Sequence, residues 1–325
     1  MNALTDSTPR PERIGIVLNP ASGYVRRHLP RLRGLAAGIA GATVIEAITD
    51  EQISSAVDAL GLGPDDLLVV MGGDGTLQAA LTAMLRRESL AVPCVLALPA
   101  GTTNMSAADL GSRSKPVVAL QALNDWLGGK TSAPAICARS VLQVSDASAT
   151  PPRFGMFFGA GAIINGVRYF HNNLRPKGIR GALGPSLAFV RMVLSLFRGA
   201  EYTALPATPA RLHLQPHPVF APWLLVLATT LDTLLLGSTP YWGREKAPMH
   251  FTAIAHRAPR LSRSLFFLLR GKASATMKGN PAYISHNLDH TAIDDLTEYL
   301  LDGEIFPVHG QLQLSATPAV RFIVL

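Results

Sequence analysis

Residues 66–76 read Asp66-Leu67-Leu68-Val69-Val70-Met71-Gly72-Gly73-Asp74-Gly75-Thr76 and give the clearest indication of the fold. The apolar run at 67–71 predicts a buried strand, and the Ala/Leu-rich run at 77–87 predicts a helix after it. The glycines between them let the backbone turn tightly towards a phosphate, whose oxygens the first N–H groups of the helix would face. Asp74 adds a carboxylate that suits Mg²⁺ or a nucleotide hydroxyl. The stretch predicts a phosphate-binding loop, with a plain strand-to-helix turn as the alternative.

The same alternation of short apolar runs and helical runs extends over residues 14–127, which indicates parallel strands with crossover helices. The predicted strands are 14–18, 43–47, 67–71 and 95–98, and the predicted helices are 26–40, 51–60, 77–87 and 116–127. Ligands of open α/β sheets collect at the carboxyl ends of such strands. The loops at that edge are therefore the candidate site.

Two further strand ends carry loops of similar character. The first is Asn19-Pro20-Ala21-Ser22-Gly23, an anion-cradling turn before a helix with basic residues, and the other is Pro99-Ala100-Gly101-Thr102-Thr103-Asn104. Each loop alone is explained equally well as a turn. Three such loops at one edge of one parallel sheet favour a nucleotide-phosphate site.

The second half of the chain has a different pattern, mainly antiparallel β with one or two helices. Strands are predicted at 140–144, 154–158, 210–214, 224–229, 249–255, 283–287, 299–301 and 319–324, and a helix at 183–197. The expected organisation is an α/β nucleotide-binding domain at 13–130 and a β-rich domain at 135–325. The hinge between them is expected near 128–134.

Composition narrows the protein class. Only 16% of the 325 residues are charged, but the two longest apolar stretches are interrupted by Arg191 and Asp232, so neither is a convincing transmembrane span. Residues 1–13 lack the apolar region of a signal peptide, so a cytoplasmic location is expected. Two cysteines without CxxC spacing argue against a zinc site.

The net charge of +7 is unevenly distributed. Residues 135–290 contain 17 Lys/Arg and 5 Asp/Glu, a balance of +12, which leaves −5 for the rest of the chain. The positive charge of residues 135–290, together with Leu/Phe-rich segments in the same half, favours peripheral contact with an anionic membrane. In a cell, we expect this contact at the inner membrane surface. No nucleic-acid-binding motif is present. A solvated basic face is the alternative.

The order of four motifs resembles the diacylglycerol kinase catalytic-domain family, which includes bacterial lipid kinases and sphingosine kinases and is related in fold to NAD kinases. The motifs are Asn-Pro-x-Ser-Gly at 19–23, Gly-Gly-Asp-Gly-Thr at 72–76, Gly-Thr-x-Asn at 101–104 and Asp-Gly-Glu at 302–304. The resemblance implies a nucleotide-binding α/β domain followed by a β-rich lipid-binding domain. It also implies ATP and Mg²⁺ as cofactors and a lipid as the phosphate acceptor.

Site residues follow from the resemblance. Those implied to hold the nucleotide are Asn19, Ser22, Gly23, Thr49, Gly72, Gly73, Asp74, Gly75, Thr76, Leu77, Thr102 and Asn104. Asp74 is implied to lie near the metal. Thr49 is explained equally well as an ordinary helix N-cap. Glu304 matches the family's proposed proton acceptor, with a polar turn as the alternative for 302–304.

The chain departs from the family pattern in two places. Residues 243–250 lack the aspartate that helps many bacterial members to bind a structural Mg²⁺, and residues 136–139, Ile-Cys-Ala-Arg, lack the acid expected at the opening of the second domain. Two alternatives to a lipid kinase therefore stay open: a catalytically silent lipid- or nucleotide-binding module, and a soluble NAD-kinase-like enzyme.

Two segments of the second half are candidates for lipid contact. The small residues within 157–164 would leave room for an acyl chain, or would let a sheet pack closely. Basic residues before the helix predicted at 183–197, namely Arg168, Arg175, Lys177 and Arg180, suit a membrane interface or a solvated lead-in to a core helix.

Overall fold

A computed structural model describes residues 9–87, 91–148, 151–169, 206–214 and 216–325. The chain forms two compact units, one of Met1–Arg139 with Pro318–Leu325 and the other of Ser140–Thr317. The first holds a mainly parallel sheet with helices, and the second holds an antiparallel sheet. The expected α/β fold class with a second antiparallel domain is confirmed.

Unit 1 is built on a six-stranded sheet in the order β2-β1-β3-β4-β17-β5. Its strands are β1 Ile14–Leu18, β2 Ala42–Glu46, β3 Leu67–Gly72, β4 Cys94–Pro99, β5 Ala135–Arg139 and β17 Val320–Val324. The first four are parallel, with Ile16 level with Val44 on one side and Val69 on the other. Their near-continuous apolar sequence is typical of parallel strands, which are buried on both faces.

Five helices accompany this sheet in the described part of unit 1. They are α1 Gly23–Ala37, α2 Asp50–Leu60, α3 Asp74–Leu85, α4 Met105–Asp109 and α5 Pro116–Leu127. Leu32 of α1 and Leu123 of α5 pack into one core with Ile16 and Val69 of the sheet. Helix α1 is irregular at His28, because Pro30 has no N–H to continue the helical hydrogen bonds.

The helices next to the candidate loops begin earlier than the sequence pattern indicates. Helix α1 starts at Gly23 and not at residue 26, and α3 starts at Asp74 and not at residue 77. The polar and glycine residues at these starts belong to the first helical turn, where apolar periodicity gives no signal. Part of each predicted loop is therefore a helix N-terminus.

Strand β17 returns the end of the chain to the sheet of unit 1. Phe322 lies level with Val95 of parallel β4 and with Cys137 of antiparallel β5. The sequence pattern identified this strand at 319–324 but assigned it to the β-rich half. Its neighbour Ile323 is buried in the core of unit 1, which explains where the strand lies.

Unit 2 is built on an eleven-stranded antiparallel sheet. Its strands are β6 Leu142–Ser145, β7 Arg153–Gly155, β8 Phe157–Gly161, β9 Thr208–Leu212, β10 Val219–Thr229, β11 Met249–Ala255, β12 Tyr283–Leu288, β13 His290–Asp294, β14 Glu298–Leu301, β15 Glu304–Pro307 and β16 Leu312–Ala316. Trp223, Phe158 and Phe251 fill its core. Two helices accompany it in the described residues, α6 Ala162–Tyr169 and α7 Leu261–Leu268.

Two predictions concern longer apolar segments. The helix predicted at 183–197 lies outside the described residues. Across the described ranges, no helix combines the length and the apolar character needed to cross a membrane.

Candidate phosphate-binding and catalytic site

The middle loop of the candidate site connects β3 to α3 through Gly72 and Gly73. A Cβ on Gly72 would overlap the side chain of Thr76, and one on Gly73 would lie 3.1 Å from the Cα of Gly101, which is closer than ordinary contact. Helix α3 has no side-chain cap at Gly73. The N–H groups of its first turn therefore have no such partner, and its dipole favours an anion at this end.

The remaining predicted residues of this loop differ in how far they are buried. Gly75 is half-buried, whereas Thr76 and Leu77 are buried. Leu77 is an α3 core residue, so a contact between this residue and a phosphate would have to come from its main chain. The hydroxyl of Thr76 accepts a hydrogen bond from Nδ2 of Asn19 at 3.0 Å.

The first loop presents Ser22 and Gly23 at the start of α1. Ser22 is the N-cap residue, yet its hydroxyl makes no capping hydrogen bond. A Cβ on Gly23 would meet no atom within 4 Å. The protein itself therefore does not require glycine at 23, and a ligand can approach the main chain there without obstruction.

The third loop is shaped by Asn104. Its Oδ1 accepts the N–H of Gly101 at 2.7 Å, and its Nδ2 donates to the carbonyl of Gly101 at 3.1 Å. Asn104 has a φ of 52°, in the left-handed region that asparagine tolerates better than most residues. The side chain thus fixes the turn that leaves Thr102 exposed at its tip.

Direct contacts connect the three loops to one another. The side chain of Asn19 joins the first loop to the middle one through Thr76, and the N–H of Tyr24 donates to the carbonyl of Ala100 at 3.0 Å. The N–H of Ala100 donates to the carbonyl of Gly72 at 2.8 Å. The three loops that the sequence places at one sheet edge are therefore one connected structure.

Asp74 ties the middle loop to α4. Its Oδ1 accepts the N–H of Ser106 at 3.0 Å and its Oδ2 accepts the N–H of Met105 at 3.2 Å. Burial raises the pKa of Asp74, and the hydrogen bonds from the start of α4 act in the opposite direction. The N–H groups of Met105 and Ser106 therefore fix the orientation of this carboxylate.

Thr49 acts as the N-cap of α2. Its hydroxyl accepts the N–H of Gln52 at 3.3 Å, and the Gln52 side chain accepts the N–H of Thr49 at 3.4 Å. This reciprocal pair is a capping box. The N-cap interpretation of Thr49 is confirmed, whereas its contact with a nucleotide stays a prediction.

In unit 2, Asp302 and Gly303 form the tight turn between β14 and β15. Both have positive φ, 46° and 99°, as a two-residue hairpin turn of type I′ requires. The buried carboxylate of Asp302 accepts the N–H groups of Met156 at 2.8 Å and Phe157 at 2.9 Å. Glu304, the predicted proton acceptor, is the first residue of β15 and is exposed.

Residues in both segments that depart from the family pattern make defined contacts within the protein. Cys137 stands where the family run has its acid, and it lies level with Phe322 of β17. Arg139, two residues further on, forms a buried ion pair with Asp109 at 3.2 Å. In the segment that lacks the family aspartate, Glu245 accepts the N–H of Asn287 at 2.9 Å and pairs with His286 at 2.7 Å. Burial opposes ionisation of Glu245, but these hydrogen bonds lower its pKa to about 2.

The small residues of the segment at 157–164 contact the protein's own atoms. A Cβ on Gly159 would lie 2.7 Å from the Ile163 side chain, and one on Gly161 would lie 2.5 Å from the carbonyl of Leu224. These contacts favour the close-packed sheet over an acyl-chain entrance. Arg168 forms an ion pair with Glu298 at 2.6 Å, and the other three basic residues named with it lie outside the described ranges.

The sequence motif includes Gly101 but assigns it no role, and it gives no sign of the N–H groups that open α4. A Cβ on Gly101 would overlap the Cα of Gly73, so this glycine lets the middle and third loops meet. Its position inside a Pro-Ala-Gly-Thr loop was a usable signal. Helix α4, with five residues, is too short to give a periodic pattern. Within the described ranges, no group of three His, Cys, Asp or Glu residues is arranged to hold a metal.

Unit 1 is thus an α/β domain in which the three predicted loops contact one another. Residues 13–132 match the family model of the diacylglycerol kinase catalytic domain. The match confirms the resemblance drawn from the motifs, and it means that the chain carries a domain of a phosphotransferase family. No curated protein sequence matches the chain.

Solved structures with the same fold include kinases of two kinds. One is a diacylglycerol kinase from Bacillus anthracis str. Sterne, 13% identical, with a TM-score of 0.64 and 97% of each chain covered. Another is yeast NADH kinase in complex with NADH, 12% identical, with a TM-score of 0.51, covering 97% of this chain and 84% of that one. At these identities the likeness shows a shared fold.

Proposed function

We propose that this protein is an ATP-dependent lipid kinase that transfers the γ-phosphoryl group of Mg-ATP to a lipid hydroxyl, in a diacylglycerol-like acceptor. The observation that carries the proposal is the set of three loops in unit 1, joined through Asn19–Thr76, Tyr24–Ala100 and Ala100–Gly72. Phosphoryl transfer depends mainly on positioning and on neutralising charge, and loops that support one another supply positioning.

The residues of this site fit a nucleotide phosphate. Gly23 borders open space, and α3 begins without a side-chain cap. Glycine at these positions permits close approach of main-chain N–H groups to phosphate oxygens. Arg26 and Arg27 lie exposed on the first turns of α1 and add positive charge near the first loop.

Asp74 is the carboxylate of this site suited to a metal. Mg²⁺ is commonly bound through one or two carboxylates together with substrate phosphates and water, so a single aspartate suffices. Mg-ATP, when bound, supplies the phosphoryl group and neutralises its developing charge. Because Asp74 also holds the start of α4, its orientation is fixed before any ligand binds.

Glu304 is proposed as the proton acceptor, on the basis of the Asp-Gly-Glu motif. A lipid hydroxyl has a pKa far above neutral and must lose its proton as it attacks, and a positioned carboxylate accelerates such a step by about 10²–10⁴-fold. The Asp302–Gly303 turn fixes the start of β15, and the exposed Glu304 is accessible from solvent.

A lipid is the preferred acceptor because of the composition of unit 2. The excess of basic over acidic residues between 135 and 290, with Leu- and Phe-rich segments, suits an enzyme that works at an anionic membrane. The Gly-Gly-Asp-Gly-Thr loop and the fold shared with yeast NADH kinase favour phosphorylation of a dinucleotide as the second candidate.

The test is a phosphoryl-transfer assay with labelled ATP, Mg²⁺ and mixed lipid vesicles. The lipid kinase predicts label in the organic phase, identified by mass spectrometry over a panel of diacylglycerol, sphingoid base, ceramide and phosphatidylglycerol. Glu304→Gln should lower the rate by about 10²-fold or more while nucleotide affinity is kept. Label that stays in the aqueous phase with NAD would favour the second candidate, and wild-type protein inactive on every lipid would refute the proposal.

A further inference from the structure

Helix α7 of unit 2 carries an exposed aromatic pair on a surface rich in positive charge. Its inner face is ordinary: Leu261, Leu265 and Leu268 are buried in a core with Ile254 and Met277. Its outer face holds Phe266 and Phe267, which are 53% and 43% exposed. Contiguous exposed apolar side chains mark sites of interaction with proteins or membranes more often than single ones do.

The segment of sequence that carries this pair has charge of one sign. Residues 246–288 contain no Asp or Glu and seven exposed cations, Lys246, Arg257, Arg260, Arg263, Arg270, Lys272 and Lys278. The guanidinium group of Arg270 lies 4.1 Å above the ring of Phe266. The acid that precedes the segment, Glu245, is occupied by His286. The patch therefore combines apolar rings with an uncompensated positive charge in its sequence neighbourhood.

A second exposed apolar side chain lies in the Leu236 loop, residues 235–239, which is joined to the end of α7. Leu236 is 66% exposed and has a φ of 57°, which is strained for leucine. The N–H of Thr239, in the same loop, donates to the carbonyl of Leu269 at 2.9 Å. An exposed leucine on strained backbone costs stability, so a role outside the folded chain is the simplest reason for it.

We infer that α7 and the Leu236 loop form a docking surface for a bilayer that contains anionic lipids. Phenylalanine and leucine side chains insert at the boundary between head groups and acyl chains, while lysine and arginine bind the anionic head groups. The mixture of rings and cations favours a bilayer as the partner. An acidic protein would account for the cations, but it would leave the exposed rings without a role. This inference deepens the proposed function by naming the surface through which the enzyme contacts its lipid. Only the purpose of the contact rests on the proposed function, and the contact itself does not.

The test is sedimentation of the full chain with vesicles, in the absence of nucleotide. Vesicles of phosphatidylcholine alone are compared with vesicles in which about a third of the lipid is phosphatidylglycerol. The wild-type protein should bind the anionic vesicles and lose binding as salt rises. The double variant Phe266→Ser, Phe267→Ser should bind at least about tenfold more weakly, because two apolar side chains no longer insert.

Phe220→Ser is the matched control. Phe220 is also 59% exposed in unit 2 and has Arg211 6.0 Å from its ring, but it lies on β10. It should bind vesicles like the wild type. If the double variant does not fold, Arg263→Gln with Lys272→Gln provides a second test, with a loss of about fivefold for each charge removed.

Several results would overturn the inference. They are equal binding to neutral and anionic vesicles, unchanged binding of the double variant, an equal loss in Phe220→Ser, or preference for a single-stranded oligonucleotide over vesicles. Because no nucleotide is present, the assay separates the two proposals. A chain that sediments with vesicles but phosphorylates no lipid refutes the proposed function alone, and one that phosphorylates lipid in detergent but does not sediment refutes the docking surface alone.

Discussion

Gly101→Ala tests whether close packing of the loops builds the phosphate site. A Cβ at 101 would overlap the Cα of Gly73 and would lie 3.1 Å from both the main-chain nitrogen of Gly73 and Oδ1 of Asn104. The main chain of Gly73 cannot relieve this overlap by a change of rotamer, as a side chain could. The two loops must therefore separate, and the hydrogen bond from Ala100 to the carbonyl of Gly72, 2.8 Å long, lies where they would part.

The expected cost has two parts. Overpacking of a well-packed site typically costs about 1–3 kcal/mol, and loss of the Ala100–Gly72 hydrogen bond adds about 1 kcal/mol. We expect the free energy of unfolding to fall by about 2–4 kcal/mol. A displaced loop also misplaces the nucleotide, so affinity for Mg-ATP should fall by about tenfold or more.

The assays are urea denaturation and titration with a non-hydrolysable ATP analogue. Gly23→Ala is the matched control for stability, because its Cβ would meet no protein atom. This variant should be as stable as the wild type or more stable, since alanine is the better helix residue at the start of α1. It should still bind nucleotide more weakly if a phosphate occupies the open space. Wild-type stability in Gly101→Ala would refute the packing argument.

Three further predictions concern individual contacts. Asp302→Ala leaves the N–H groups of Met156 and Phe157 without their acceptor and should lower the free energy of unfolding by about 2–4 kcal/mol, measured by urea denaturation; a change below about 1 kcal/mol would contradict this role. Asp109→Ala removes the partner of buried Arg139 and should cost about 3–5 kcal/mol in the same assay, whereas Asp125→Ala, whose pair with Lys130 is exposed, should cost less than about 1 kcal/mol. The pKa of Glu245 in the folded protein is about 2, below its usual 4.5, so the stability that it contributes should be present above pH 4.5 and lost as pH falls towards 2. Glu245→Gln should lack this part of the acid transition. Identical profiles of stability against pH for the variant and the wild type would contradict this role of Glu245.

Much of unit 1 is predictable because its signals are local. The run at 67–71 is apolar without alternation, as a parallel strand covered on both faces requires, and the observed β3 is Leu67–Gly72. The glycines after it mark the tight turn before α3. Similarly, the boundaries of α5 follow from Pro116 at its start and Gly128 after its end.

What the sequence does not predict depends on long-range pairing or on very short elements. The place of β17 in unit 1 depends on Phe322 meeting Val95 and Cys137, residues far away in sequence. The second role of Asp74 depends on α4, which has five residues. The aromatic pair on α7 is visible in the sequence, but its exposure is decided by which helix face the core of unit 2 covers.

Hydrogen exchange of the full chain, with and without a non-hydrolysable Mg-ATP analogue, shows whether the three loops of unit 1 form one phosphate site. We predict slower exchange on binding in all three places together: the start of α1 at 22–24, the start of α3 at 73–76 and the third loop at 101–104. The Gly23→Ala variant should show weaker protection at the same concentration. Binding that protects none of these loops, or only one of them, would contradict the claim.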